Sequence, residues 1–118
     1  MSKWAEEIHE SPWRGAFHMT GGGSLLVSEL LTTAGASSSI LEILIPYSNH
    51  SLSELISKKE EKAVSENVSR QLSILAFLRA KELSDCRQNK VFGLGLTASL
   101  STKEPKRGQT RAHWCIQT

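Results

Sequence analysis

The chain has 118 residues, 39% hydrophobic and 22% charged, which excludes a disordered or fibrous protein and leaves a single globular domain over residues 1–118. A formal net charge of +2 is too small to require a nucleic-acid partner, and none is expected. No run approaches the roughly 18 apolar residues of a membrane span, and the opening MSKWAEEIHE carries acids where a secretory signal carries an apolar stretch, so a soluble, cytoplasmic protein is expected.

Ser2 caps a short first helix with Trp4 and Ile8 on one face, and Pro12 ends it. RGAFHMT, residues 14–20, reads as a strand. After three glycines, Leu25, Leu26, Leu30 and Leu31 recur at helical spacing, with Ser24 as the expected N-cap and Gly35 as the stop. Ile40, Leu41, Leu44 and Ile45 fit a helix or a strand, and Pro46 ends either one. Residues 51–56 read as a short helix and residues 57–63 as a charged loop. Ser65 caps the longest helix; its buried stripe is Val68, Leu72, Leu75 and Ala76, and Arg70, Arg79 and Lys81 face water. Residues 91–96 are apolar throughout, the pattern of a parallel strand covered on both faces. A polar loop follows, with Lys103, Lys106, Arg107 and Arg111, and AHWCIQT closes as a strand. Strands alternating with helices argue for a layered α/β fold. Cys86 and Cys115 have neither metal-ligand spacing nor the number for a disulfide framework, so a reduced compartment and no metal are expected.

Gly21, Gly22 and Gly23 raise the functional question. Glycine costs roughly 0.5–1 kcal/mol against alanine in regular structure, so three in a row mark a tight strand-to-helix turn or a place where a ligand reaches the backbone. In an open α/β sheet, ligands sit beyond the carboxyl ends of the strands. A helix start there offers unpaired N–H groups and partial positive charge, which suit an anion or an oxyanion. The turn is neither a Walker loop nor the dinucleotide G-x-G-x-x-G pattern. Thr97 and Ser99, at the end of the second apolar strand, reach the same region if the two strands are neighbours. His18 and His50 qualify as bases by chemical type alone. Glu29 and Glu42 read as helix-surface carboxylates, and Trp4, Trp13 and Trp114 as core or interface residues.

Four stretches together resemble one family, the C-terminal domain of competence/damage-inducible proteins, the nicotinamide-nucleotide amidases. TGGGSLLVSELLTTAGAS stands where the family has Ser-Cys-Thr-Gly-Gly and an apolar helix; PYSNHSLSEL carries its Tyr-Ser-Asn. KAVSENVSRQL resembles its Ala-Val-Ser-Glu helix opening, and GLGLTASL with PKRGQTRAHWC resembles its Thr-Gly strand end and Lys-Pro-x-Gly loop. The resemblance runs in register from Arg14 to the end. It implies a three-layer α/β/α sandwich, abbreviated at the C-terminus relative to the family, and hydrolysis of the carboxamide of nicotinamide mononucleotide to the acid and ammonia.

Carried over residue by residue, the family's serine falls on Thr20 when the Leu25–Leu26 pair is aligned without gaps, while aligning the glycines with a shift makes Ser24 the available hydroxyl. Tyr47 matches the family's tyrosine and Asn49 its neighbour. The family's lysine falls on Leu52, with Lys58 and Lys59 nearby. Gly21, Gly22 and Gly23 take the oxyanion and phosphate role with Thr97, Lys106 and Arg107 as further ligand contacts. No cofactor is implied. The resemblance leaves two functions open: an amidohydrolase acting on a nucleotide of the nicotinamide mononucleotide class, or an inactive nucleotide-binding or protein-interaction module of the same fold. Leu52 in place of a lysine favours the second. The missing end implies an apolar face around Trp114 and a homo-oligomer.

Overall fold

The computed structural model describes residues 2–57, 64–84, 90–99 and 111–118. Among them lie four strands, β1 (Arg14–Gly21), β2 (Ile40–Leu44), β3 (Val91–Ala98) and β4 (Ala112–Gln117). Four α-helices join them: α1 (Lys3–Glu10), α2 (Ser24–Thr32), α3 (Asn49–Ile56) and α4 (Glu66–Leu83), with one 3-10 turn at Ala36–Ser38. The sheet order is β2-β1-β3-β4. β1 is parallel to both neighbours, and β4 is antiparallel to β3.

Side chains alternate across the strands, so β1 feeds two cores. Phe17 and Met19 pack on one face with Ala5 of α1 and Leu30 of α2. Ala16 points the other way, to Ala76 and Ala80 of α4. α3 completes that second layer, with Leu52 and Ile56 against Val68 and Leu72. Helices on both faces of the sheet make the three-layer α/β/α sandwich that the resemblance implies.

α4 sits unusually close to the sheet. A Cβ on Gly93 would lie 2.1 Å from the Phe77 backbone nitrogen, and one on Gly95 2.1 Å from the Ser69 carbonyl oxygen. These two β3 glycines are therefore a seat for a helix backbone. The helix presents small buried residues to them, Ser69, Ser73, Ala76 and Ala80. Leu75, expected in the buried stripe, is only half-buried.

Serines set three helix starts by accepting from first-turn amides: Ser2 from Ala5 N, Ser48 from Ser51 N and Ser65 from Val68 N. Ser24 does not. The N-cap of α2 is Gly23, and Ser24 is the first helical residue. Gly35 is not the stop of α2 either; the helix ends at Thr32, and Gly35, at φ 97°, opens the 3-10 turn. The ambiguous segment is the strand β2. Glu42 is consequently a strand residue and not a helix-surface carboxylate, and it pairs with Arg79 instead of leaving that arginine to water. On β4, Trp114 and Ile116 pair with Leu96 and Leu94 on the α1/α2 face, where they stay 66% and 49% exposed. No helix among the described residues is long and apolar enough to cross a membrane.

Candidate functional site at the carboxyl edge of the sheet

Because β1 runs parallel to β2 and β3, Gly21, Leu44 and Ala98 end at one edge of the sheet. Gly21 has φ 85°, and a Cβ there would stand 1.7 Å from the Ala98 carbonyl oxygen. Only glycine fits. The Gly22 N–H donates to that same carbonyl at 3.1 Å, so the turn is tied to the end of β3 and this amide is engaged. Gly23, as N-cap, offers no side chain, and the amides of the first turn of α2 have no side-chain cap. Ser24 and Leu25 are exposed at that turn.

The predicted hydroxyls divide between two environments. Thr20 is 4% exposed, and strand alternation puts it with Ala16 and His18 on the α4 face, whereas α2 packs on the other face. Thr97 is its register partner on β3, confirming that the two strands are neighbours. Thr97 is fully buried, and its hydroxyl donates to the Ser65 carbonyl at 3.5 Å. Ser24 is exposed beside the uncapped amides. Tyr47 follows the end of β2 and is 77% exposed; Asn49 opens α3 and is also exposed. Among the described residues, no side-chain hydrogen bond joins Thr20, Ser24, Tyr47 or Asn49 to one another or to a base. Leu52 is 4% exposed and packs with Val68 and Leu72. His50 lies on the outer surface of α3, paired with Glu54 at 3.3 Å. Lys58, Lys59, Lys106 and Arg107 lie outside the described residues. Ser99 and Arg111 form a reciprocal pair: Ser99 N–H donates to the Arg111 carbonyl at 2.8 Å and Arg111 N–H to Ser99 Oγ at 3.1 Å.

The sequence reading missed a second cluster, on the α4 face. His18 stands there in a cleft with Glu42 of β2 and Arg79 of α4. The guanidinium grips Glu42 through Nε and Nη2, both at 3.1 Å, and Glu82 through Nη1 at 3.0 Å. The hydrogen bond from Arg79 holds the Glu42 carboxyl below its ordinary range. Burial pushes the His18 imidazole down, opposed by the nearby Glu42 charge and assisted by Arg79. No group of three or more potential metal ligands occurs among the described residues.

No family model and no curated protein matches the sequence. The fold does have a counterpart. It matches the crystal structure of the competence/damage inducible protein CihA from Agrobacterium tumefaciens with a TM-score of 0.69, covering 96% of this chain and 70% of that one at 17% identity. The likeness establishes the fold, and it is the fold of the family that the four sequence stretches resemble.

Proposed function

We propose that the chain is a nucleotide-binding module of the competence/damage-inducible fold, taking a ligand of the nicotinamide mononucleotide class without hydrolysing it. The observation that carries the binding half is the uncapped first turn of α2 behind a left-handed Gly21, at the carboxyl edge of parallel strands. Unpaired amides and the helix dipole attract a phosphate there. Tyr47 and Asn49 stand beyond the neighbouring strand end, open to the rest of the ligand.

The absence of turnover follows from the chemistry. Amide hydrolysis needs a hydroxyl that a base can deprotonate, and N–H donors facing the oxyanion that forms. Thr20 is buried on the sheet face opposite α2. Ser24 is exposed at the amides and has no hydrogen-bonded base among the described residues. Leu52 supplies packing where the resemblance places a lysine. The second reading, a working amidase, is favoured by one observation, that Ser24 puts an exposed hydroxyl directly at the amides.

Calorimetric titration with nicotinamide mononucleotide and with its riboside decides between them, alongside an ammonia assay. The phosphorylated compound binds more tightly, and ammonia is not released. Ser24→Asp places a fixed carboxylate at the helix start and weakens binding of the mononucleotide about fivefold, equivalent to about 1 kcal/mol. Ammonia release that disappears in Ser24→Ala or Thr20→Ala establishes the amidase instead, and equal affinity for mononucleotide and riboside removes the phosphate site.

A further inference from the structure

Among the described residues the sheet ends in β2 on one side and in β4 on the other, and the two edges are finished differently. β2 is five residues long, slips in register against β1 between Gly15 and Ala16, carries Glu42 at its middle and runs on toward Pro46. Short length, charge, irregularity and proline are the devices that keep a sheet edge from pairing with another chain. β4 has none of them. Residues 112–118, AHWCIQT, contain no Asp, Glu, Lys, Arg, Pro or Gly. Its register against β3 is unbroken from Ala112 to Gln117.

The ladder decides which backbone groups β4 leaves over. The Ser99 N–H donates to the Arg111 carbonyl opposite it. Alternation from there turns the N–H and C=O of His113, Cys115 and Gln117 toward β3, and those of Ala112, Trp114 and Ile116 outward, away from the sheet. The side chains of the outward residues stand on the α1/α2 face, where Trp114 and Ile116 are exposed. Beside them on that face lies an apolar groove of about 310 Å³, lined by Ile8, Trp13, Phe17, Phe92, Leu94 and Ile116. A row of alternating donors and acceptors with an uncharged apolar flank is complementary to itself under a two-fold rotation. Any charge in this stretch would meet its own kind across the axis. None is there, which favours a second copy over a peptide recognised by charge.

We propose that β4 pairs with the β4 of a second copy of this chain, antiparallel about a two-fold axis, joining the two four-stranded sheets into one. Side chains keep to their own faces only in registers where even residues oppose even and odd oppose odd. Of these, the register centred on Cys115 engages all of residues 112–118. It sets Trp114 against the partner's Ile116, an aromatic against a β-branched residue, in the hydrogen-bonded pairs. Cys115 meets the partner's Cys115 in a non-hydrogen-bonded pair, with Cα atoms about 4.5 Å apart. Each Trp114 then stands beside the Ile116 that lines the other copy's groove. A seam about 20 Å long falls short of the roughly 1,200 Å² that stable complexes bury, so the dimer is weak, with Kd on the order of 0.1 mM. The contact needs no ligand and stands apart from the nucleotide reading.

Sedimentation equilibrium of the whole chain under reducing conditions, at concentrations about tenfold below and above that Kd, passes from monomer to dimer. Trp114→Lys puts a charge on both sides of the seam and raises Kd at least about tenfold. Ile74→Lys, at an isoleucine of α4 about as exposed as Ile116, leaves Kd unchanged. Hydrogen exchange reads the ladder in the unaltered chain. The amides of Cys115 and Gln117 are protected at both concentrations, and those of Trp114 and Ile116 only at the higher one. In Cys86→Ser, a mild thiol oxidant joins two chains through Cys115, each thiol giving a proton and an electron to the oxidant; adding Cys115→Ser prevents it. A monomer throughout, a dimer that survives Trp114→Lys or yields to Ile74→Lys, outward amides that exchange alike at both concentrations, or a dimer that does not cross-link through Cys115 each overturns the proposal. Should Trp114→Lys fail to fold, hydrogen exchange of the unaltered chain decides alone.

Discussion

The two faces of this sheet are packed by opposite means. On the α1/α2 face, bulk fills the space: Met19 and Leu30 are almost fully buried, and the Phe17 ring meets Phe92 edge-on at 5.4 Å. On the α4 face, bulk has been taken away, and Gly93 and Gly95 lie under a helix stripe of serine and alanine. The first face is stabilised by apolar area removed from water. The second gains from dense contact between backbones, many small attractions at short range. Removing atoms therefore harms one side, and adding them harms the other.

The sharpest way to break that contrast is Gly95→Ala. Its methyl group would sit 2.1 Å from the Ser69 carbonyl, a backbone atom that cannot rotate aside. A loss of about 3 kcal/mol or more is expected from urea denaturation, at the upper end of overpacking effects; a loss under about 1 kcal/mol would show that α4 does not sit on the sheet backbone. On the other face the reverse change should hurt. Leu30→Ala leaves a cavity beside Met19 and Phe17, with an expected loss of about 2.5 kcal/mol in the same measurement.

A pH series probes the α4 face, where His18 and Glu42 lie. The His18 pKa is lowered in the folded chain from an ordinary 6.5, so the unfolded chain takes the proton more readily. Its contribution is complete above pH 6.5 and is lost as pH falls from there through the folded value. In melting curves recorded against pH, His18→Leu flattens this part of the decline. The lowered pKa of Glu42 acts further down, in a fall that begins below its ordinary 4.5 and survives in that variant. The smallest effect belongs to Ser73→Ala. Its hydroxyl donates only within its own helix, to the Arg70 carbonyl at 2.7 Å. The lost bond and the better helix propensity of alanine offset each other to within about 0.5 kcal/mol.

Most elements were legible because their signals are local. Ser2 and Ser65 cap the helices that they were expected to cap, and the apolar runs around Phe17 and Leu94 are strands. The segment from Ile40 to Leu44 was not legible, since a short apolar run satisfies both periods. That one ambiguity hid the Glu42–Arg79 pair, which forms only when Glu42 alternates to the α4 side of a strand, 37 residues from its partner. His18 carried a usable signal: between Phe17 and Met19, it must face away from their core. Whether a histidine so placed finds partners depends on β2 and α4, which no local pattern reports. At the candidate site, Gly21 was readable as a turn glycine. The engagement of Gly22 by Ala98 was not, because it depends on which strand end lies alongside.

The seat of α4 on Gly93 and Gly95 has a consequence for molecules that enter beside it. A helix cushioned by long side chains can shift as those side chains change rotamer, but one resting on peptide groups has nothing to compress. The wall of the cleft that carries Arg79 is thus the stiffer one. The opposite wall, α3, rests instead on the two greasy pegs of Leu52 and Ile56, so any widening of the cleft is expected there.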